Sequence, residues 1–204
     1  MEPRVRQQVS ADREDLVQLV ADPIAFLGHE DPVLVRMATT ALNAQECDLW
    51  FDMVVALLED ASGSVRAAAA EKLGACGERA LSHLDQAALD TEPEVREAVA
   101  TAYGEVADPS AITWLVTVGN DDSDRTVKEA AVASLGAIGS PLAIDPLLAF
   151  VAKGPPQVRR RAIAAITIFD DPRIEPAIQR AAFDRNPSVR EAAEMVVGRQ
   201  LTAD

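Results

Sequence analysis

The chain has 204 residues, with 33 acidic and 19 basic side chains and a formal charge of −14. Apolar residues make up 49% and aromatics only 4%. Such a core of Ala, Val, Leu and Ile suits packed helices and argues against a disordered chain, while the acid excess argues against general nucleic-acid binding, which draws its affinity from neutralising phosphates.

The first fifteen residues carry Arg4, Arg6 and Arg13 but no apolar run, so no secretory signal is expected. No apolar stretch approaches the about 20 residues of a membrane span, and a cytoplasmic location is the expectation. Cys47 and Cys76 fall in different segments. They read as two small buried hydrophobes rather than a disulfide framework.

The predicted elements begin with a pair of short capping helices, about residues 10–20 and 23–28. From there a Val followed by a basic residue recurs: Val35-Arg36, Val65-Arg66, Val95-Arg96, Val127-Lys128, Val158-Arg159 and Val189-Arg190. The intervals are 30, 30, 32, 31 and 31 residues, which marks a repeat. An acid precedes the Val by five positions in Glu30, Asp60, Asp90, Asp122 and Asp184, and Lys153 breaks that column. Ala follows the Val by three positions in Ala38, Ala68, Ala98, Ala130 and Ala192. Leu73, Tyr103, Leu135, Ile166 and Val197 follow it by eight, and Gly74, Gly104, Gly136 and Gly198 come next. Offsets 0, 3, 4 and 8 fall on one face of a helix, and the Gly column reads as a helix-end signal.

Each unit therefore reads as a helix A beginning near the Val, a short turn, and a helix B ending near the next acid. Ser62, Asp124 and Asn186 stand where N-caps of A helices belong, with Pro187 at a first helical position. Asp108-Pro109, Ser140-Pro141 and Asp171-Pro172 open B helices. The units start near 31, 61, 91, 123 and 154. Residues 1–30 and 185–204 close the ends, the latter as a half-repeat reaching about Gln200, and the whole chain reads as one domain.

The segment Asp122–Leu148, DSDRTVKEAAVASLGAIGSPLAIDPLL, resembles the HEAT repeat, in particular the short form of phycobilisome-lyase-like proteins. The resemblance implies an all-α, right-handed α-solenoid of about six helical hairpins. It also implies a ladder between neighbouring units, made by the acids above and Arg36, Arg66, Arg96, Lys128, Arg159 and Arg190, with a gap at Lys153.

Each unit of such a stack buries its apolar face only against its neighbours, and the B helices present an extended surface for another macromolecule. Counting back from each Val puts Phe51, Val54, Val55, Leu58, then Ile112, Leu115, Val116, Gly119, then Ile144, Leu147, Leu148, Val151 on the core side of the B helices. The opposite side carries Met53, Arg79, His83, Gln86, Thr113, Trp114, Thr117, Asp145, Arg173 and Arg180. An exposed Trp114 at the centre of that strip is the expected contact, because Trp and Arg are enriched at binding hot spots. The eight arginines between Arg159 and Arg199 form a second candidate surface, for an acidic segment.

Catalytic patterns are missing. His29 and His83 lie in different units. Gly28-His29-Glu30 is similar to the His-Glu pairs of deoxyhypusine hydroxylase, whose iron ligands come from several such pairs, and here there is one. No Cys-x-x-Cys, His-Glu-x-x-His, phosphate loop or nucleophile elbow occurs. The expected function is a non-enzymatic scaffold or adaptor that binds a protein or peptide along its B-helix, concave surface. No cofactor, metal, membrane or nucleic-acid partner is expected. The family resemblance implies one alternative, a bilin lyase-like subunit or chaperone.

Overall fold

The computed structural model describes residues 13–198. Among them every regular element is helical. The A helices are α2 (Pro32–Ala41), α5 (Gly63–Gly74), α7 (Pro93–Val106), α9 (Arg125–Ile138), α11 (Pro156–Ile166) and α13 (Pro187–Val197). The B side is built by α3 (Ala44–Leu49) and α4 (Phe51–Ala56), separated at Trp50, then by α6 (Leu81–Ala87), α8 (Ile112–Asp121), α10 (Ile144–Lys153) and α12 (Ile174–Ala181). Helix α1 (Arg13–Ala21) and a 3₁₀ turn at Pro23–Phe26 precede them. Residues 10–12 of the expected first capping helix, and Gln200 at the expected end of the last, lie outside the described residues.

The A helices pack side by side, α2 on α5, α5 on α7, α7 on α9, α9 on α11 and α11 on α13. Each B helix rests on the A helix that follows it. This is an α-solenoid. Val35 keeps 3% exposure, and Val65, Val95, Val127, Val158 and Val189 keep none. The repeated Val is thus the buried centre of every A helix, as the periodicity predicts.

The Gly column has a different cause from the one the sequence suggests. A Cβ on Gly74 would lie 2.9 Å from Ala102 Cα, and one on Gly136 would lie 3.0 Å from Ala165 Cα. Gly104 likewise faces Ser134. Gly74 is the last residue of α5, Gly104 and Gly136 lie in the last turns of α7 and α9, and all three let the next A helix approach closely. Only Gly198 of that column has the left-handed φ of a cap, +77°. Helix α9 ends instead at Gly139, φ +67°, and α7 at Ala107, φ +58°. At the helix starts, Asp124 and Asn186 cap through their side chains. Ser62 occupies an N-cap position but turns its hydroxyl to Ser64 rather than to the backbone.

Three of the expected ionic rungs are present among the described residues, while Arg36 is exposed and makes no ion pair with Asp60, so the α2–α5 joint lacks its rung. Arg66 binds Asp90 at 2.7 and 3.0 Å, Arg96 binds Asp122 at 2.8 and 3.0 Å, and Arg159 binds Asp184 at 2.8 and 2.6 Å. Each arginine also donates from Nη1 to the carbonyl six or five positions before it, at Asp60, Asp90 and Gly154. Each of these aspartates accepts a backbone N–H two residues on. The gap at Lys153 is real. Lys128 donates to the Asn120 carbonyl at the end of α8. The α9–α11 joint instead carries the buried Glu129, with Arg125 Nε at 3.0 Å and Arg160 Nη2 at 3.6 Å.

The arginine hydrogen bonds hold the Asp90, Asp122 and Asp184 carboxyls below the ordinary carboxylate value of 3.8. A depressed folded pKa contributes stability that is complete above the unfolded value and lost as protons bind below it. The melting midpoint is therefore expected to be insensitive to these three groups above about pH 5 and to fall steeply below about pH 4. Thermal denaturation from pH 7 to pH 3 checks this. Double replacement of Asp90 and Asp122 by Asn should lower the midpoint at pH 7 and flatten the acid limb.

Candidate partner-binding surface

The B helices carry the exposed strip, and their core face is the expected one with one edge left half-open. Val54, Ile112, Leu115, Gly119, Leu147 and Val151 are buried as expected, and Leu57, Val118 and Phe150 join them. Val55, Leu58, Val116 and Leu148, assigned to the core by spacing, are half-buried. So are Phe51 and Ile144. The B helices rest mainly on the A helix that follows, and the edge of each apolar face stays half-exposed.

Those edges line grooves between B helices. The first groove lies between α4 and α6 and has a volume of about 450 Å³. Val55, Leu58, His83 and Gln86 form its floor and walls, with Glu59 and Leu89 at the rim. A smaller groove of about 150 Å³ lies between α8 and α10, lined by Val116, Pro146 and Phe150. The third, about 460 Å³, lies between α10 and α12 and is lined by Leu148, Val151, Arg173, Ala177 and Arg180.

The expected site residues divide among these places. His83 and Gln86 line the first groove, and Arg173 and Arg180 the third. Met53 and Thr113 are exposed on the B side. Thr117 is exposed with its hydroxyl donated to the Thr113 carbonyl. Arg79 lies 3.8 Å over the Phe51 ring and pairs with Asp48 at 2.9 Å, and His83 meets the same ring edge-on. Phe51 thus belongs to the surface cluster, which the core spacing hid. Asp145 pairs with Arg173 at 2.7 Å, and Arg173 also binds Asp171. The Arg173 hydrogen bonds lower the Asp171 carboxyl to about 2, and the bonds to Asp171 and Asp145 raise the guanidinium above its ordinary value.

Trp114 is not the exposed centre that spacing suggests. It is half-buried, packed on the core, and its ring meets Tyr103 at 5.4 Å. The Tyr103 hydroxyl donates a short hydrogen bond to Asp85 of α6. Burial, then this bond, pushes the phenol above its ordinary value. Trp114, Tyr103 and Asp85 together connect α6, α7 and α8, so Trp114 separates the grooves rather than heading a contact strip.

The arginine-rich C-terminal surface is also reduced. Arg159 is 5% exposed and belongs to the ladder. Arg173 is paired, and Arg190 donates to the Asp184 carbonyl. Arg160 faces Glu129, and Arg199 lies outside the described residues. Arg161, Arg180 and Arg185 remain exposed.

No group of three or more His, Cys, Asp or Glu among the described residues could hold a metal ion. His29 is exposed, stacks on Phe26, and accepts the Asp31 N–H through Nδ1. No helix of the described residues is long and apolar enough to cross a membrane.

The HEAT-repeat family model matches residues 20–102, 51–136, 86–160 and 144–200. No curated protein is similar to this chain in sequence. Among solved structures, the CpcE and CpcF complex of phycocyanin lyase from a Nostoc species is similar at 18% identity and a TM-score of 0.61, over 74% of this chain and 99% of that one. The Escherichia coli protein YIBA matches at 18% identity and a TM-score of 0.65, over 94% of this chain and 76% of that one. A designed armadillo repeat protein in complex with the peptide (KR)4 matches at 18% identity and 0.55, over 88% and 97%. At such identities the likeness is one of fold. The family matches run from residue 20 to residue 200 and agree with the stacked A and B helices, so the chain belongs to the HEAT-repeat family.

Proposed function

We propose that the chain is a non-enzymatic scaffold that binds an extended protein segment along its B helices. The observation that carries this is the row of three inter-helix grooves with half-exposed aliphatic floors. Apolar side chains of a partner segment fill the α4–α6 and α10–α12 grooves. Its polar groups meet Glu59 and Gln86 at one end and Arg180 at the other. Met53, Arg79, His83, Thr113, Trp114, Thr117, Asp145 and Arg173 form the surrounding surface in this reading. A binding groove gains affinity from a few desolvated anchors rather than from its whole area.

The test is a peptide-display selection on the intact chain, followed by affinity measurement on variants. Leu148→Asp puts a charge into the third groove at a half-buried position. It is expected to weaken selected peptides by at least about tenfold, equivalent to about 1.4 kcal/mol, measured at a temperature well below the variant's own melting midpoint. Peptides that bind Leu148→Asp and Val55→Asp as well as the parent chain would remove the grooves from the reading. Trp114→Ala is a poorer probe, because loss of the Tyr103 contact also destabilises the α6–α8 joint. For the lyase-like alternative, the likeness is one of fold. Mixing the purified chain with a free bilin is expected to leave the pigment spectrum unchanged, and a shifted band would favour that alternative.

A further inference from the structure

Two sulfur atoms separated in sequence meet at one joint of the stack. Cys47, in α3, is fully buried. Cys76 follows the end of α5 and is partly exposed. Both thiols are free, as expected, with Cys47 buried and Cys76 half-buried, but their Sγ atoms are 3.0 Å apart, about 1 Å beyond a disulfide bond length. Both thiols face the Lys72 carbonyl, Cys47 at 3.3 Å and Cys76 at 3.8 Å.

The surrounding chain fixes this approach. Helix α3 starts with a reciprocal cap between Asn43 and Glu46. Lys72 Nζ donates to the Leu42 carbonyl across the same joint at 2.9 Å. Arg79 donates to the Asp48 carbonyl at 2.9 Å. On the solvent side, Gly77 has a φ of +69° and no atom within 4 Å of a Cβ position. Open space thus adjoins Cys76, while Cys47 has none.

We propose that Cys47 and Cys76 form a reversible intramolecular disulfide by exchange with a low-molecular-weight disulfide. The Cys76 thiolate attacks one sulfur of the small disulfide. That S–S bond breaks, the first small thiolate leaves, and a mixed disulfide remains on Cys76. The Cys47 sulfur then loses its proton to water and attacks Cys76 Sγ, expelling the second small thiol. Two electrons pass from the protein sulfurs to the small disulfide, and two protons end on the two released thiols. Burial, and then the neighbouring Cys76, pushes the Cys47 thiol up to about 12. Cys47 is accordingly the resolving group, and the second step quickens as pH rises.

The bond closes a loop of about 30 residues between α3 and the turn into α6, which restricts the unfolded chain. The oxidised protein should melt roughly 5–15 °C higher than the reduced one. The test equilibrates the folded wild-type chain with oxidised glutathione, quenches with acid, and reads intact mass and free thiols. The expected product is monomeric, two hydrogens lighter, without free thiols, and restored by dithiothreitol. Cys47→Ser should stop at the glutathione adduct on Cys76, and Cys76→Ser should react at least about tenfold more slowly. Wild-type protein that keeps both thiols, accumulates the mixed disulfide, or crosslinks between chains overturns the pairing. A Cys76→Ser variant that reacts as fast as wild type overturns the order of attack.

Discussion

Asp122→Ala is expected to lower the melting midpoint by roughly 6–12 °C at pH 7, an effect of about 3 kcal/mol. Asp122 and Arg96 side chains are only 6% and 15% exposed, and they meet through two parallel hydrogen bonds. Removing the carboxylate leaves a guanidinium at the α7–α9 joint that keeps only the Asp90 and Thr91 carbonyls on Nη1. Breaking one partner of a buried pair costs more than the pair contributes, because the remaining charge is still desolvated. The value is set at the low end because Arg96 retains those carbonyls and some solvent. Thermal denaturation followed by circular dichroism measures it. Asp145→Ala is the control, since its pair with Arg173 is exposed and screened, and it should leave the midpoint within about 2 °C. An Asp122→Ala midpoint equally close to the parent would mean that the ladder does not hold the stack.

A larger effect is expected at the C-terminal end. Ending the chain at Arg185 removes α13, whose Val189 and Ala193 are fully buried and which packs on α11 and α12. Ile163, Ile166 and Ile178, each at most 3% exposed, belong to the core that it covers. A repeat array without a terminal cap exposes its continuous core. Losing several buried aliphatics at about 1.5–3 kcal/mol each lowers the midpoint by more than about 10 °C or drives aggregation. Size-exclusion chromatography and a melting curve read both outcomes. Val189→Asp places a charge at the same buried position without shortening the chain, and it should destabilise in the same direction. A truncated chain that stays monomeric with the parent midpoint would show that α13 is dispensable.

The outer surface of α13 behaves differently from its inner one. Met195 is 79% exposed and Glu191 is exposed, while Val197 is half-buried. The facing read from the Val189, Ala193 and Val197 spacing is met at Val189 and Ala193, with Val197 at the edge of the buried stripe and Glu194, expected to face water, half-buried.

How far the sequence reaches depends on how local each feature is. The Val column, the acid and arginine columns, and the gap at Lys153 repeat every 30–32 residues. Each copy reports the same packing position, so the A helices and their buried faces are legible from the chain, and the ladder implied by the family resemblance is met at three joints. The caps by Asp124 and Asn186 are local hydrogen bonds and are legible for the same reason. The Gly column was visible as a pattern, but its cause was not. Whether a glycine ends a helix or admits a neighbour depends on the distance to the next A helix, which no single repeat contains.

The B side shows the limit most clearly. Spacing alone fixes a B helix's apolar stripe to within about one residue, or about 100° of rotation. The packing around it decides which edge stays half-open, and that moved Val55, Val116 and Leu148 from the core to the groove walls. Trp114 reads as exposed from its offset opposite the Ile112, Leu115 and Val116 face, while Tyr103 on α7 covers part of it. By itself the sequence determined an all-α stack of repeats with buried Val centres, because those features are periodic and cooperative, and its resemblance to the HEAT repeat implied the ionic rungs. Only the tertiary structure decided where the grooves lie and that Cys47 faces Cys76, because both depend on the packing of elements distant in sequence.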